Sequence, residues 1–346
     1  VSVFLKARQR LLSTLGSPSS LQQVSDRSYE LCPAESQNAP PAICLQRDLD
    51  RVTGVMEVTT IEQEMRRIQG GPRKHGATVA YELSNVELSD GFLFKSGWKD
   101  RLLENPPHTS GPKETLPHAT LTGTFFGARY FGHWMTDDLT LAMAAEKTGQ
   151  PFTPERPLYT HEEGYLRLFQ LQPKIVASAR FEKLTILDDI GQNAYKKQRY
   201  QEMRRRLSAA RVLPESRRVY IHRGGSGASR LLQNESAIEE LLETLGFAIL
   251  DPGRLAPEEI VAQSVGAEII IGVEGSQLAH AFYAIADHGV MCALQPPYRF
   301  NNIFKDQADC VGFHYALLTG EAAEGGFRIE LDEIRELVDR LSNLIA

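Results

Sequence analysis

The 346-residue chain has no apolar run close to the ~20 residues that cross a bilayer, so no integral membrane segment is expected. Cysteine is scarce. Cys32, Cys44, Cys292 and Cys310 are scattered, with no CxxC and no zinc-like grouping, which argues against a disulfide framework or a zinc module. Cys292 lies in an apolar run and reads as a core thiol in a reduced, cytoplasmic setting. Positive charge is not in excess. With 38 basic and 44 acidic residues the formal net charge is -6, so no nucleic-acid partner is expected, although a local pocket can still be basic. Internal repeats and low-complexity stretches are absent. Val1 to Leu15 lacks the long apolar stretch and cleavage site of a signal peptide. It reads as a solvated terminal helix, with peripheral association at the inner face of a membrane as the alternative.

The length suffices for two domains. Residues 1–76 read as an irregular N-terminal segment, interrupted by Pro33, Pro40 and Pro41, closed by Gly70-Gly71-Pro72, and helical over Thr60–Gln69. Residues 77–213 read as an α/β domain. Its short β runs are Thr78–Leu83, Val86–Leu88 and Gly91–Phe94, with a turn at Ser89-Asp90-Gly91, followed by strands at Leu121–Phe126, Pro157–Thr160 and Lys183–Leu187. Helices are predicted over Trp134–Lys147, His161–Leu171 and Ala194–Arg211. Residues 214–346 alternate strand and helix, the pattern of a doubly wound parallel sheet. The strands are Val219–Arg223, Phe247–Asp251, Glu268–Val273, Val290–Leu294 and Phe313–Leu318. The helices are Asn234–Leu245, Pro257–Val265, Gln277–Ala286, Asn301–Ala308 and Asp332–Ala346. The usual order 3-2-1-4-5 would put a crevice at the carboxyl ends of the first and fourth strands.

Two strand-to-helix corners carry the chemistry. At the first, the strand ends in Arg223-Gly224-Gly225, with Arg230 a few residues on. Guanidinium groups offer a fixed fork of donors that suits phosphate; the alternative is a pair of surface arginines bonded to Glu235 or Glu239. Gly225-Ser226-Gly227 lacks the third glycine of a dinucleotide fingerprint. At the second corner, Glu274 could bind ribose hydroxyls, with the Gly275 and Ser276 amides near phosphate; alternatively Glu274 only favours a helix N-terminus. His280, one turn later, reads as a crevice or a core residue.

A third constellation is Gly132-His133-Trp134-Met135-Thr136-Asp137-Asp138. In a helix His133 and Asp137 lie on one face, and an imidazole oriented by a carboxylate is a usable general base. A metal site and a purely structural role for Asp137 or Asp138 in the first turn are the alternatives. No convincing metal-ligand set accompanies these residues, so no metal and no cofactor are expected. Asp188-Asp189 reads as a strand-terminating turn. The cluster Lys196, Lys197, Arg199 and Arg204–Arg206 reads as a solvated face.

At these motifs the chain resembles glycosyltransferase family 61. The resemblance covers roughly Thr78 to Leu294 and is carried by Gly132–Leu139, by Tyr220-Ile221-His222-Arg223 through Arg230 to Asn234-Glu235, and by Val265–His280. It implies a GT-B-like α/β fold, two Rossmann-like domains facing a cleft, and an inverting, metal-independent transferase using a nucleotide-diphosphate sugar. His133 with Asp137 or Asp138 would line the acceptor side; Arg223, Arg230 and Glu274–Ser276 would face the donor. The implied partners are a nucleotide sugar and a glycan or lipid-linked acceptor in capsular or other polysaccharide biosynthesis. Many members read His-Gly-Ala where this chain reads Glu274-Gly275-Ser276, which leaves the donor open. Two other readings remain: a sugar-nucleotide epimerase or hydrolase of the same fold, and a non-catalytic nucleotide- or glycan-binding protein.

Overall fold

The computed structural model describes residues 20–109, 114–208, 216–224 and 230–345. The expected N-terminal helix and the Gly225–Ser229 part of the arginine loop lie outside the described residues. The chain forms two compact units, one of residues 1–35 and 75–199, the other of residues 36–74 and 200–346.

The first unit is built on an eight-stranded mixed sheet. Seven strands run in the order Trp98–Arg101, Phe92–Lys95, Thr78–Ser89, Ala179–Asp188, Glu114–Leu121, Gln150–Pro154, Lys174–Val176; Arg27–Cys32 also pairs with Thr78–Ser89. Ala179–Asp188 is antiparallel to Thr78–Ser89 and parallel to Glu114–Leu121. The two short runs expected at Thr78–Leu83 and Val86–Leu88 are one twelve-residue strand, because its register with Ala179–Asp188 continues through Ser84. The turn at Asp90-Gly91 is as expected. Both residues have positive φ, 48° and 65°, which a two-residue I′ hairpin requires. Leu83, Val86, Phe152, Phe181 and Leu184 form the core of this unit, with the Phe152 and Phe181 rings 4.6 Å apart.

Two strand expectations in this unit are corrected. Leu121–Phe126 is the end of strand Glu114–Leu121 followed by a short helix, Phe125–Arg129. Thr124 starts that helix by accepting the Gly127 N–H on its hydroxyl. Pro157–Thr160 is a loop; the strand is Gln150–Pro154. The buried Glu162 carboxylate holds that loop by accepting from both Arg156 guanidinium nitrogens and from the Tyr159 N–H.

The helical stretch from Phe131 to Ala145 contains a π turn at Trp134–Asp138, where the Leu139 N–H reaches back five residues to the Trp134 carbonyl. Such turns recur at functional sites.

The second unit centres on a five-stranded sheet with every neighbouring pair parallel. Its order is Ala248–Leu250, Arg218–Ile221, Ala267–Val273, Ile285–Gln295, His314–Thr319. In chain order this is 2-1-3-4-5, which corrects the expected 3-2-1-4-5. The order therefore reverses between the first and third strands, and the crevice of such a sheet lies at their carboxyl ends. Helix Leu331–Ile345 buries Ile334, Leu337, Val338 and Leu341 in the same core as Ile269, Val290 and Leu318. The helix expected over Gln277–Ala286 is shorter. A 3₁₀ turn, Ser276–Leu278, and one α turn, Ala279–Phe282, precede a strand that already begins at Ile285. Residues 278–285 are all buried, so their sequence shows no amphipathic period to mark the change. Thr60 and Gln63 form a capping box on helix Ile61–Gln69, close to the expected span.

Candidate functional site

The second unit brings its two corners together. The guanidinium of Arg223, just beyond strand Arg218–Ile221, donates to Gln277 Oε1 at 2.6 Å. Arg230 donates to the Glu274 carbonyl at 2.9 Å and to its carboxylate. Arg299 reaches that carboxylate at 3.4 Å and Asn301 Nδ2 donates to it at 2.8 Å. Glu274 is buried, so its charge is matched by these donors rather than by water. Gly275 has φ +142°, and a Cβ there would stand 2.9 Å from Arg223 Nη1, 3.1 Å from Arg230 Nη1 and 2.8 Å from Gln277 Oε1. Glycine is what lets both arginines close on the backbone. Burial, and then the like charge of Arg230, press the pKa of Arg223 down, with Arg299 adding to the effect. Three guanidinium groups at one corner, two of them on the Glu274 carboxylate, form a concentrated positive field suited to an anion. Ser276 is half-buried beside Gln277, and His280 is buried in the following turn.

Glu235 takes a different role from the surface partner considered for the arginines. Its Oε1 accepts the backbone N–H of Arg223 and the Tyr220 hydroxyl, each at 2.8 Å. His222, between them in the chain, holds Glu239 Oε1 through Nδ1 at 2.5 Å.

The first unit contains the histidine constellation. His133 Nδ1 lies 2.8 Å from Asp137 Oδ2, and Lys196 Nζ donates to Asp137 Oδ1 at 2.8 Å. Lys196 is 1 % exposed, so its charge is neutralised within the protein. Burial opposes ionisation of Asp137, but the Lys196 ammonium and the His133 hydrogen bond outweigh it and hold the carboxyl well below the usual range. The His133 and Asp137 side chains remain 28% and 25% exposed, so solvent or a ligand can reach them. Asp138 points elsewhere. It is buried and accepts from the Thr124 N–H at 3.1 Å and the Thr124 hydroxyl at 2.7 Å. Burial, then the neighbouring Asp137 charge, push its pKa well above the ordinary carboxylate range.

Of two expectations about charge, one is extended and one corrected: the strand does end at Asp188. Asp189 does more than end a strand: it takes a two-pronged bond from Arg199 at 2.8 and 2.7 Å and a bond from the Thr78 hydroxyl at 2.9 Å. Lys196 and Arg199 are buried in this network, so only the later part of the basic cluster, such as Arg205, is a solvated face.

Residues 131–291 match the family described as Glycosyltransferase 61. The match spans just under half of the chain, which is similar to this family over that stretch. The matched stretch contains the His133 constellation, the two arginines and the Glu274 corner; Arg299 and Asn301 lie beyond it. A nucleotide sugar and a glycan are the general partners that the family assigns to it. No curated protein matches the chain. Among the described residues no helix is long and apolar enough to cross a membrane.

Sequence reasoning missed Lys196, Arg199, Arg299 and Asn301 as site neighbours. The first two were hidden in a basic run. For the last two a signal existed: they follow the Gln295–Tyr298 loop, which sits at a strand's carboxyl end.

Proposed function

We propose that this chain is a family-61 glycosyltransferase, an inverting enzyme that moves a sugar from a nucleotide-diphosphate sugar to a hydroxyl of a glycan or lipid-linked oligosaccharide in polysaccharide biosynthesis. The observation that carries the reading is the convergence of Arg223, Arg230 and Arg299 on the Glu274–Gly275 corner, where the strand order reverses. A diphosphate leaving group needs fixed cations there. Glu274 holds Arg230 and Arg299 in place, and Gly275 keeps room for the guanidinium groups.

The base is His133. With its Nδ1 proton directed to Asp137, Nε2 is the atom that accepts the acceptor hydroxyl proton as that oxygen attacks the anomeric carbon. The bond from that carbon to the diphosphate breaks, and its electron pair leaves with the diphosphate, neutralised by the arginines. Asp137 orients the imidazole and stabilises the imidazolium. Asp138, committed to Thr124, is left out of the chemistry. By family resemblance the arrangement is GT-B-like, with residues 77–213 on the acceptor side and 214–346 on the donor side of a cleft, at work in the cytoplasm or against the inner face of a membrane.

Incubation with labelled nucleotide sugars and a mixed glycan acceptor pool tests the reading. Label appearing on a glycan with inverted anomeric configuration supports it. Free or epimerised sugar would instead indicate a hydrolase or epimerase, and binding without turnover a non-catalytic protein.

A further inference from the structure

His222, Glu235 and Glu239 stand apart from the contacts assigned to donor and acceptor. His222 follows strand Arg218–Ile221, where its N–H is fixed to the Leu250 carbonyl at 2.8 Å. Glu235 and Glu239 are four apart on helix Glu235–Thr244 and so share a face. One ligand-type atom from each of the three lies within 4.8 Å of the other two. His222 Nδ1 is 2.5 Å from Glu239 Oε1 and 3.8 Å from Glu235 Oε2. Ligands about 2.0–2.2 Å from a common tetrahedral ion stand roughly 3.3–3.6 Å apart; the His222–Glu235 separation is close to that, and the His222–Glu239 pair must open by about 1 Å, giving up its hydrogen bond to the ion.

The surroundings supply what such a site needs besides ligands. Glu235 Oε1 is taken by the Tyr220 hydroxyl and the Arg223 N–H. Those two bonds fix the carboxylate with its other oxygen, Oε2, turned to His222, as second-layer donors do at metal centres. Glu235 is about nine-tenths buried, and Oε2 takes no hydrogen bond within the described residues. His222 and Glu239 keep 28% and 19% of their side chains exposed, which gives access from solvent. Imidazole with two carboxylates is a donor set for zinc and its first-row neighbours rather than for calcium or magnesium.

We propose that His222, Glu235 and Glu239 bind one divalent transition-metal ion of the zinc type, with solvent completing its coordination. The ion takes no part in the transfer step. Its link to the donor corner is mechanical, because the carboxylate that would hold it also holds the peptide N–H of Arg223.

The test is calorimetry of the metal-stripped full chain with Zn²⁺ alone, with His222→Ala, Glu239→Gln and, as a control, Glu240→Gln, an exposed acid on the same helix. One saturable site in the parent, weakened at least ~10-fold by His222→Ala and by Glu239→Gln and unchanged by Glu240→Gln, is the expected result. Circular dichroism confirms that each variant is folded. Anomalous scattering from zinc-soaked crystals gives a second readout that needs no variant, and places the ion between the three side chains. Absence of saturable binding, equal loss in the control, or an ion located elsewhere would overturn the proposal.

Discussion

Asp137 and Asp138 are chain neighbours with opposite electrostatic fates. Asp137 receives the buried Lys196 ammonium and the His133 ring and stays ionised. Asp138 receives the Thr124 N–H and hydroxyl and is pushed toward its protonated form by burial and by Asp137. The π turn at Trp134–Asp138 holds both.

The first prediction separates the candidates for the base. His133→Ala should lower kcat by about 10²–10⁴-fold with donor affinity nearly unchanged. Asp137→Asn should give a smaller loss, since the imidazole keeps a hydrogen-bond acceptor. Asp138→Asn should leave kcat within a few-fold. A large loss in Asp138→Asn beside a mild effect in His133→Ala would transfer the role to Asp138.

The second prediction concerns stability against pH. The folded pKa of Asp138 is raised. Its contribution is therefore full below the unfolded value of about 3.9 and is lost as pH rises through the folded value. The folded pKa of Asp137 is lowered. Its contribution is present above about 3.9 and is lost as pH falls. Asp138→Asn should remove the decline on the rising side, and Asp137→Asn should flatten the acid side. Urea unfolding at several pH values measures both; a parallel shift of the whole curve in either variant would contradict the assignment.

The third prediction concerns the donor corner. Arg223→Ala and Arg230→Ala should each weaken nucleoside-diphosphate binding with the fold intact, by about 1.5–3 kcal/mol for a lost charged hydrogen bond. Gly275→Ala should do the same without removing any charge, because the added Cβ meets Arg223 Nη1 and Arg230 Nη1. Calorimetry with UDP, GDP, ADP and CMP checks this. Parent-like affinity in all three variants for the nucleotide that binds would remove this corner from the donor site.

The fourth prediction is that transfer persists in excess EDTA. Asp189, one of the acidic pair at the end of strand Ala179–Asp188, is buried and already matched by Arg199, Lys196 and Thr78. Loss of turnover restored by manganese or magnesium would show that an ion serves the reaction.

Local patterns made much of the second unit legible, and the sheet order was the part they could not give. Strand-helix alternation and the helix over Thr60–Gln69 are written in short stretches, but nothing within strand Ala267–Val273 says that it pairs with Arg218–Ile221 rather than lying beyond Ala248–Leu250. That choice depends on long-range packing, and it decides that the Arg223 and Glu274 corners adjoin. In the first unit, Lys196 and Arg199 were read as solvated because charge in a helix usually is. Their burial depends on Asp137 and Asp189, which approach from other elements. Thr124 illustrates the same limit: its helix-starting role is masked by the strand-like composition of Leu121–Phe126, in which it sits.

The π turn has a consequence for how this region can vary. A helix turns about 100° per residue, and the extra residue in the turn shifts the phase of everything after it. Upstream, His133 reaches solvent; downstream, Leu139 to Ala145 are all buried. Substitutions within 134–138 would alter contacts one at a time. A single-residue deletion there would instead restore the ordinary coil and rotate the two faces out of step, carrying His133 away from its present direction while Leu139–Ala145 stayed anchored. The segment should thus tolerate exchanges of residue far better than changes of length.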